Sequence, residues 1–299
     1  MKALTTIFIL TCLSFTISAQ EIYTKTDDNP DAVIKGHIAL EYYGIDVGFR
    51  NITGAMIFTM GVNGSYTVTP NLSVEGSVRM PLLRFEKQGA AYIVDAGAFY
   101  TLSSSTNEKD VKVILGYKEE DMGNNIELHT TKYTVINGSV TKKLLVRAGV
   151  YLKNTAIEYK ESDFEQYQPT NLFHKGVYIG IGKQRQHFFT LRRQIGQRET
   201  YFGAGSIFRP YFDVLLLPTK VKMQQETLGL GAGLSKELTG FIGARAGFRW
   251  YRNPFTREQN AHHRIPFFGN SVVTLEAGVR PIDGFFINGG ISFILKKFQ

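Results

Sequence analysis

From Gly61 to Leu82 the chain alternates apolar and polar positions with a period of two. Val62, Gly64, Tyr66 and Val68 stand opposite Asn63, Ser65, Thr67 and Thr69. Beyond Thr69-Pro70-Asn71, Leu72, Val74, Gly76, Val78, Met80 and Leu82 stand opposite Ser73, Glu75, Ser77 and Arg79. This pattern predicts two strands joined by a tight turn, with two unlike faces. One face is uncharged; the other carries Glu75 and Arg79.

The same alternation recurs along the chain. Ile38 to Arg50 predicts a strand with a phase change at Tyr42-Tyr43, where a bulge is expected. Ala91 to Thr101 sets Val94, Ala96, Ala98 and Tyr100 against Asp95 and Gly97. A polar link, Ser103 to Asp110, precedes a separate strand in which Val111, Val113 and Leu115 oppose Lys112, and an acidic loop runs from Lys118 to Asn125. Lys132 to Val140 is a less regular strand, ended by a turn at Thr141 to Lys143. Leu144, Val146, Ala148, Val150 and Leu152 then oppose Arg147, Gly149, Tyr151 and Lys153. Glu158 to Thr170 reads as a polar loop, and Val177, Ile179 and Ile181 alternate with Tyr178 and two glycines.

Lys183 to Leu217 fits either one strand or two. After it, Leu228 to Leu234 alternates with glycines, a turn is expected at Ser235 to Leu238, and Ile242, Ala244, Ala246, Phe248 and Trp250 oppose Arg245 and Arg249. A long loop from Tyr251 to Asn270 contains His262-His263. Val273, Leu275, Ala277 and Val279 oppose Thr274, Glu276 and Arg280; Pro281 to Asp283 turns into a last strand in which Ile287, Gly289, Ile291, Phe293 and Leu295 oppose Asn288, Ser292 and Lys296. No convincing amphipathic helix interrupts the series. The chain is all-β, as a closed barrel or a sandwich.

Composition narrows the choice. Of 299 residues 43% are hydrophobic, with 30 glycines, 22 Phe and 15 Tyr. After the N-terminus no apolar run reaches the roughly 18 residues of a membrane helix. Met1-Lys2, the apolar stretch Ile7 to Ile17 and the small-residue ending Ile17-Ser18-Ala19 predict a secretory signal peptide over 1–19. A polar N-terminal lead over 20–36 and a barrel over 37–299 would follow. The single cysteine, Cys12, lies in the signal segment, so the exported chain would hold together without disulfides. The net charge of +8 is spread along the chain and forms no nucleic-acid motif.

Alternation alone does not separate a soluble sandwich from a membrane barrel. Three features favour the membrane: strands of about nine to twelve residues, a polar face of Gly, Ser, Thr and Asn with sparse charge, and many strands with no linker. The signal segment, the short turns, the aromatic-bounded strands and the final stretch from Gly290 to Phe298 resemble outer-membrane β-barrel proteins of Gram-negative bacteria. In that group the last strand usually ends in an aromatic residue read by the assembly machinery; here Gln299 follows Phe298. The resemblance implies an antiparallel transmembrane β-barrel of about 12–14 strands. It implies outer-membrane lipid, lipopolysaccharide and the barrel-assembly machinery as partners, and no nucleic acid.

On such a barrel Glu75, Arg79, Asp95, Lys112, Arg147, Lys153, Arg245, Arg249, Glu276, Arg280 and Lys296 would line the interior. Their basic excess suggests a passage for anions; the alternative is that they pair across strands and fill the interior. The run Lys183, Arg185, Arg192, Arg193 and Arg198 could hold lipopolysaccharide phosphates or an acidic partner, or be solvated turn residues. The six histidines form no zinc pattern. His187 with Ser206, or His129 with Ser139, are permitted as base and nucleophile but supported by no motif. The expectation is a non-enzymatic barrel without cofactor or metal, acting as a narrow channel or a structural or assembly component. An envelope-lipid enzyme and a soluble periplasmic sandwich that binds a ligand are the alternatives.

Overall fold

Alternation becomes strand almost throughout. The computed structural model describes residues 21–29, 35–49, 52–53, 56–82, 91–121, 127–159, 170–224, 235–252 and 270–298. They form β1 (Glu21–Asp28), β2 (Gly36–Phe49), β3 (Ile52–Thr53), β4 (Met56–Thr69), β5 (Leu72–Pro81), β6 (Tyr92–Asp121), β7 (Glu127–Tyr159), β8 (Thr170–Ile195), β9 (Arg198–Gln224), β10 (Ser235–Arg252), β11 (Ser271–Arg280) and β12 (Gly284–Phe298). Every pairing is antiparallel, and β7 pairs with β8 to close a ring of ten strands in the order β8-β9-β10-β11-β12-β2-β4-β5-β6-β7. Closure leaves no sheet edge around the ring. The short β1 and β3 add to β8 and β7 without entering it.

The ring therefore has ten strands, fewer than the twelve to fourteen expected. Two pairs of predicted strands are single ones. The polar link at Ser103 to Asp110 stays in β6, and the turn at Thr141 to Lys143 stays in β7, because each segment is hydrogen-bonded to the other across the β6–β7 ladder. The middle stretch supplies the end of β8 and much of β9, joined at Gly196, which takes a left-handed φ of 58°. Ser235 to Leu238 is the start of β10, not a turn. The polar lead contains β1. Leu228 to Leu234, the His262-His263 loop and the signal segment lie outside the described residues.

β2 begins and β12 ends at one end of the ring, the proximal end, where Gly36 pairs with Phe298. There β6 to β9, at 30, 33, 26 and 27 residues, outrun the wall and continue as a ribbon. By comparison β5 and β11 cross the wall with 10 residues each. In this ribbon the buried face changes. Val111, Val113, Val140, Phe189 and Leu191 pack together with Leu115 and Ile136. Phe189 lies over Gly138, where an added Cβ would sit 3.2 Å from its ring. Strand β1 docks here on β8 (Glu21↔Ile195 to Asp28↔Phe189).

Within the wall the faces are inverted relative to a soluble protein. Val62, Val68, Val78, Met80, Val150, Ile179, Ile181, Phe212, Ile242, Leu275 and Leu295 are exposed on the outside. The charged side chains are buried inside. Two buried apolar clusters lie inside the ring, Ile93, Tyr151, Tyr178, Leu215 and Leu217 toward the distal end and Ile207, Tyr251 and Val272 toward the proximal end.

Candidate functional site: the ion-paired interior

Each wall strand contributes inward residues at every second position, so charges on different strands meet across the interior. All nine of Glu75, Arg79, Asp95, Arg147, Lys153, Arg245, Arg249, Glu276 and Arg280 are buried there. Lys112 and Lys296 are not. Lys112 sits in the ribbon beyond the wall, exposed and stacked on the Tyr133 ring at 3.7 Å, while its neighbours Val111 and Val113 are buried. Lys296, just past a register shift in β12, is exposed over Phe298.

Sequence reading missed Glu41, Asp46, Arg209, Asp213 and Asp283. A bulge in β2 between Glu41 and Gly44 shifts the phase, leaving Tyr42 and Tyr43 outside and turning both Glu41 and Asp46 inward. The phase change at Tyr42-Tyr43 was the available signal. Arg209 and Asp213 lie in the middle stretch whose strands could not be counted, but they keep period two with the buried Tyr211 and Leu215. Asp283 belongs to the β11–β12 turn, which is buried rather than solvated.

With these added, the buried charges balance among the described residues. Seven acids (Glu41, Asp46, Glu75, Asp95, Asp213, Glu276, Asp283) meet seven bases (Arg79, Arg147, Lys153, Arg209, Arg245, Arg249, Arg280). The basic excess expected of the interior is absent from it.

Three clusters and one further pair hold them. Glu75 accepts from Arg249 at 2.8 Å, Arg147 at 3.0 Å and Arg209 at 3.2 Å, bringing β10, β7 and β9 to β5. Arg245 binds Asp95, contacts Asp213 at 2.8 Å and Glu276 at 3.7 Å, and packs 4.5 Å from the Tyr178 ring centre. Tyr211 donates to Glu276 and takes Arg147 against its face at 3.6 Å. Distally, Arg280 and Lys153 share Asp46, with Lys153 also 2.8 Å from Asp283. Arg79 reaches Glu41 at 2.8 Å and donates to Asn288. Guanidinium planes suit such sharing because each presents several fixed donors.

The β11–β12 turn plugs the distal end. Pro281, Ile282 and Asp283 are buried, Ile282 has φ 70°, and the Pro281 carbonyl accepts from His174. A β-branched residue at positive φ is strained, and the Asp283 ion pairs hold it there. Toward the proximal end His37, Arg79, Arg249 and Tyr251 border a cavity of about 10 Å³, room for about one water. Glycines let rings approach: Gly97 and Gly149 face each other across β6–β7, and Tyr178 lies on both.

Outside the wall, Asp28 ties β1 to β7. It accepts from the Ser139 backbone at 2.9 Å, the Ser139 hydroxyl at 3.1 Å and Lys25 at 2.7 Å. Partial burial pushes its carboxyl up, but the bonds from Lys25 and Ser139 outweigh this and hold its pKa below the ordinary value.

The permitted base–nucleophile pairs gain little. His187 and Ser206 are cross-strand neighbours, but the Ser206 hydroxyl accepts from the Trp250 indole at 2.8 Å and the His187 ring stacks on Phe189. Ser139 is bound to Asp28, and the His129 side chain lies outside the described residues. Among the described residues no group of His, Cys, Asp and Glu is placed to hold a metal ion. No protein-family model matches the chain, and no curated protein matches it.

Proposed function

We propose that this is an outer-membrane barrel with a closed, electrically neutral interior, serving the envelope as a structural or assembly component. The observation that carries the reading is the inversion of the wall, with uncharged apolar side chains exposed outside and seven acids ion-paired with seven bases inside. In water such an outer surface would be an aggregation hazard; in a bilayer it is the matched solvent. Lipid would cover this surface, and the assembly machinery would insert the chain. The ribbon of β6 to β9 gives the barrel a face outside the bilayer.

The channel reading weakens because the inward acids and bases pair with one another across the interior, and the cavity beside Arg79 and Arg249 has a volume of only about 10 Å³. Heat-modifiable migration in detergent gels tests the membrane barrel, and planar-bilayer recording tests the closed interior. The expected result is a heat-modifiable band and no steady conductance. A stable conductance whose selectivity changes on replacing Arg245 and Arg249 by Ser restores the channel.

A further inference from the structure

The ring brings together four cations that are far apart in sequence. Lys142 on β7 lies directly opposite Arg185 on β8, and Lys183, two positions along β8, lies opposite Leu144. On the other side of β7, Ser105 of β6 pairs with Lys142, and Lys109 follows along β6 toward the ribbon. All four basic residues are exposed. Alternation puts Lys142, Lys183 and Arg185 on the outer face, in line with the exposed Leu144, Ile179 and Ile181.

Like charges directly opposite one another on a sheet destabilise it. Here the cost is not relieved, for none of the four has a carboxylate partner among the described residues. Glu108 and Asp110 alternate to the opposite face from Lys109, and Asp110 accepts from Asn137. Asp28 is occupied by Lys25 and Ser139. The Lys142 amine lies within hydrogen-bond reach of the Lys109 amine, and this contact first, then repulsion from Lys109, Arg185 and Lys183, holds the Lys142 pKa below the ordinary lysine value. Arg192 of the middle stretch differs: it pairs with Glu199 at 3.5 Å, toward the ribbon tip.

We infer that Lys109, Lys142, Lys183 and Arg185 bind the phosphate of an anionic lipid at the proximal rim of the wall, with the acyl chains running along Leu144, Ile181 and Ile179. The inference rests on the membrane reading above. A phosphate diester would supply the missing negative charge, and the exposed apolar row beginning one alternation away would receive the chains. Basic residues beside an apolar wall are the arrangement that anionic headgroups recognise.

The test uses the full chain folded in zwitterionic detergent, titrated with dihexanoyl phosphatidylglycerol, dihexanoyl phosphatidylcholine and inorganic phosphate. Phosphatidylglycerol is expected to bind more tightly than either of the others. Replacing Lys142, Lys183 and Arg185 together by Gln should weaken it by roughly a hundredfold. Replacing the exposed Lys112, Lys175 and Lys296 by Gln removes equal charge elsewhere and should change it little. Binding by the wild type should also fall as salt rises, which needs no variant. Unchanged affinity in the first variant, equal loss in the second, salt-insensitive binding, or inorganic phosphate binding as tightly as the lipid each overturns the site. A chain that stays dispersed without detergent refutes the membrane reading itself; one that requires detergent yet prefers no anionic lipid refutes the site alone.

Discussion

Glu75→Gln keeps the shape of a buried side chain and removes the one charge that three guanidinium groups share. In the native interior Glu75 lies 2.8 Å from Arg249, 3.0 Å from Arg147 and 3.2 Å from Arg209. Arg147 would retain Asp213 at 3.6 Å. Arg209 would keep the Gln184 amide oxygen and the Phe99 ring but no carboxylate, and Arg249 would have none among the described residues. Two cations would thus stay buried without counter-charge. Breaking a buried pair by removing one partner costs about 3–5 kcal/mol, and two stranded arginines place the expected loss near the upper end. The assay is urea unfolding of the barrel in lipid vesicles, followed by heat-modifiable migration, with Lys175→Gln as an exposed control. Adding Arg249→Gln to Glu75→Gln should recover part of the loss, since the double variant strands one cation fewer. A Glu75→Gln barrel within about 1 kcal/mol of wild type would show that the three contacts do not hold the wall together.

Three further outcomes are expected. Ile179→Arg, in the middle of the exposed outer row, should cost about 2–4 kcal/mol of folding in vesicles; equal stability would place this face in water. Gly149→Val should destabilise by about 1–3 kcal/mol, because its Cβ would meet the Ala96 backbone carbonyl and sit 2.6 Å from the Tyr178 ring; an unaffected barrel would mean that both the β6–β7 ladder and the ring yield at little cost. The lowered pKa of Asp28 gives a sign: the contribution is present above the unfolded carboxylate pKa and lost as pH falls through the lower folded value. Protection of the β1 amides, taken as exchange relative to the intrinsic rate at each pH, should therefore fall as the pH drops below about 4, and Asp28→Asn should lower it roughly fivefold at neutral pH; β1 protection unchanged in both would remove the clamp.

Much of the wall was legible in period two. The Gly61–Leu82 hairpin forms with its turn at Pro70-Asn71, and its charged residues turn inward. Strand number was not legible, because it depends on continuity rather than alternation. Ser103 to Asp110 has no apolar residue, yet every position from Ser103 onward finds a partner on β7. Charge balance was also hidden. Arg147 and Arg245 stand out beside clean apolar partners, whereas Asp213 follows Tyr211 and Phe212 in a stretch without a clear phase, and Glu41 and Asp46 share a face only because a bulge lies between them. Sequence periodicity thus favoured the bases and undercounted the acids. The ribbon inverted the pattern again, since Val111 and Val113 are buried by Phe189 and Leu191 from another hairpin, a contact that local alternation does not encode.

Ring size and interior chemistry argue for the same state. A barrel of eight strands is just wide enough for side chains to fill, while about sixteen leave an aqueous channel. Ten strands lie near the filled limit, and this interior uses the longest side chains: Arg147, Arg245 and Arg280 are each 1% exposed. Small residues cannot span such a lumen, and long apolar ones would span it without fixing which strands are opposite. Shared guanidinium–carboxylate contacts do both. Arg245 joins β10 to β6 and β9, and Lys153 joins β7 to β2 and to the β11–β12 turn. Opening a passage would separate several of these pairs at once. The network therefore acts as a latch on ring closure.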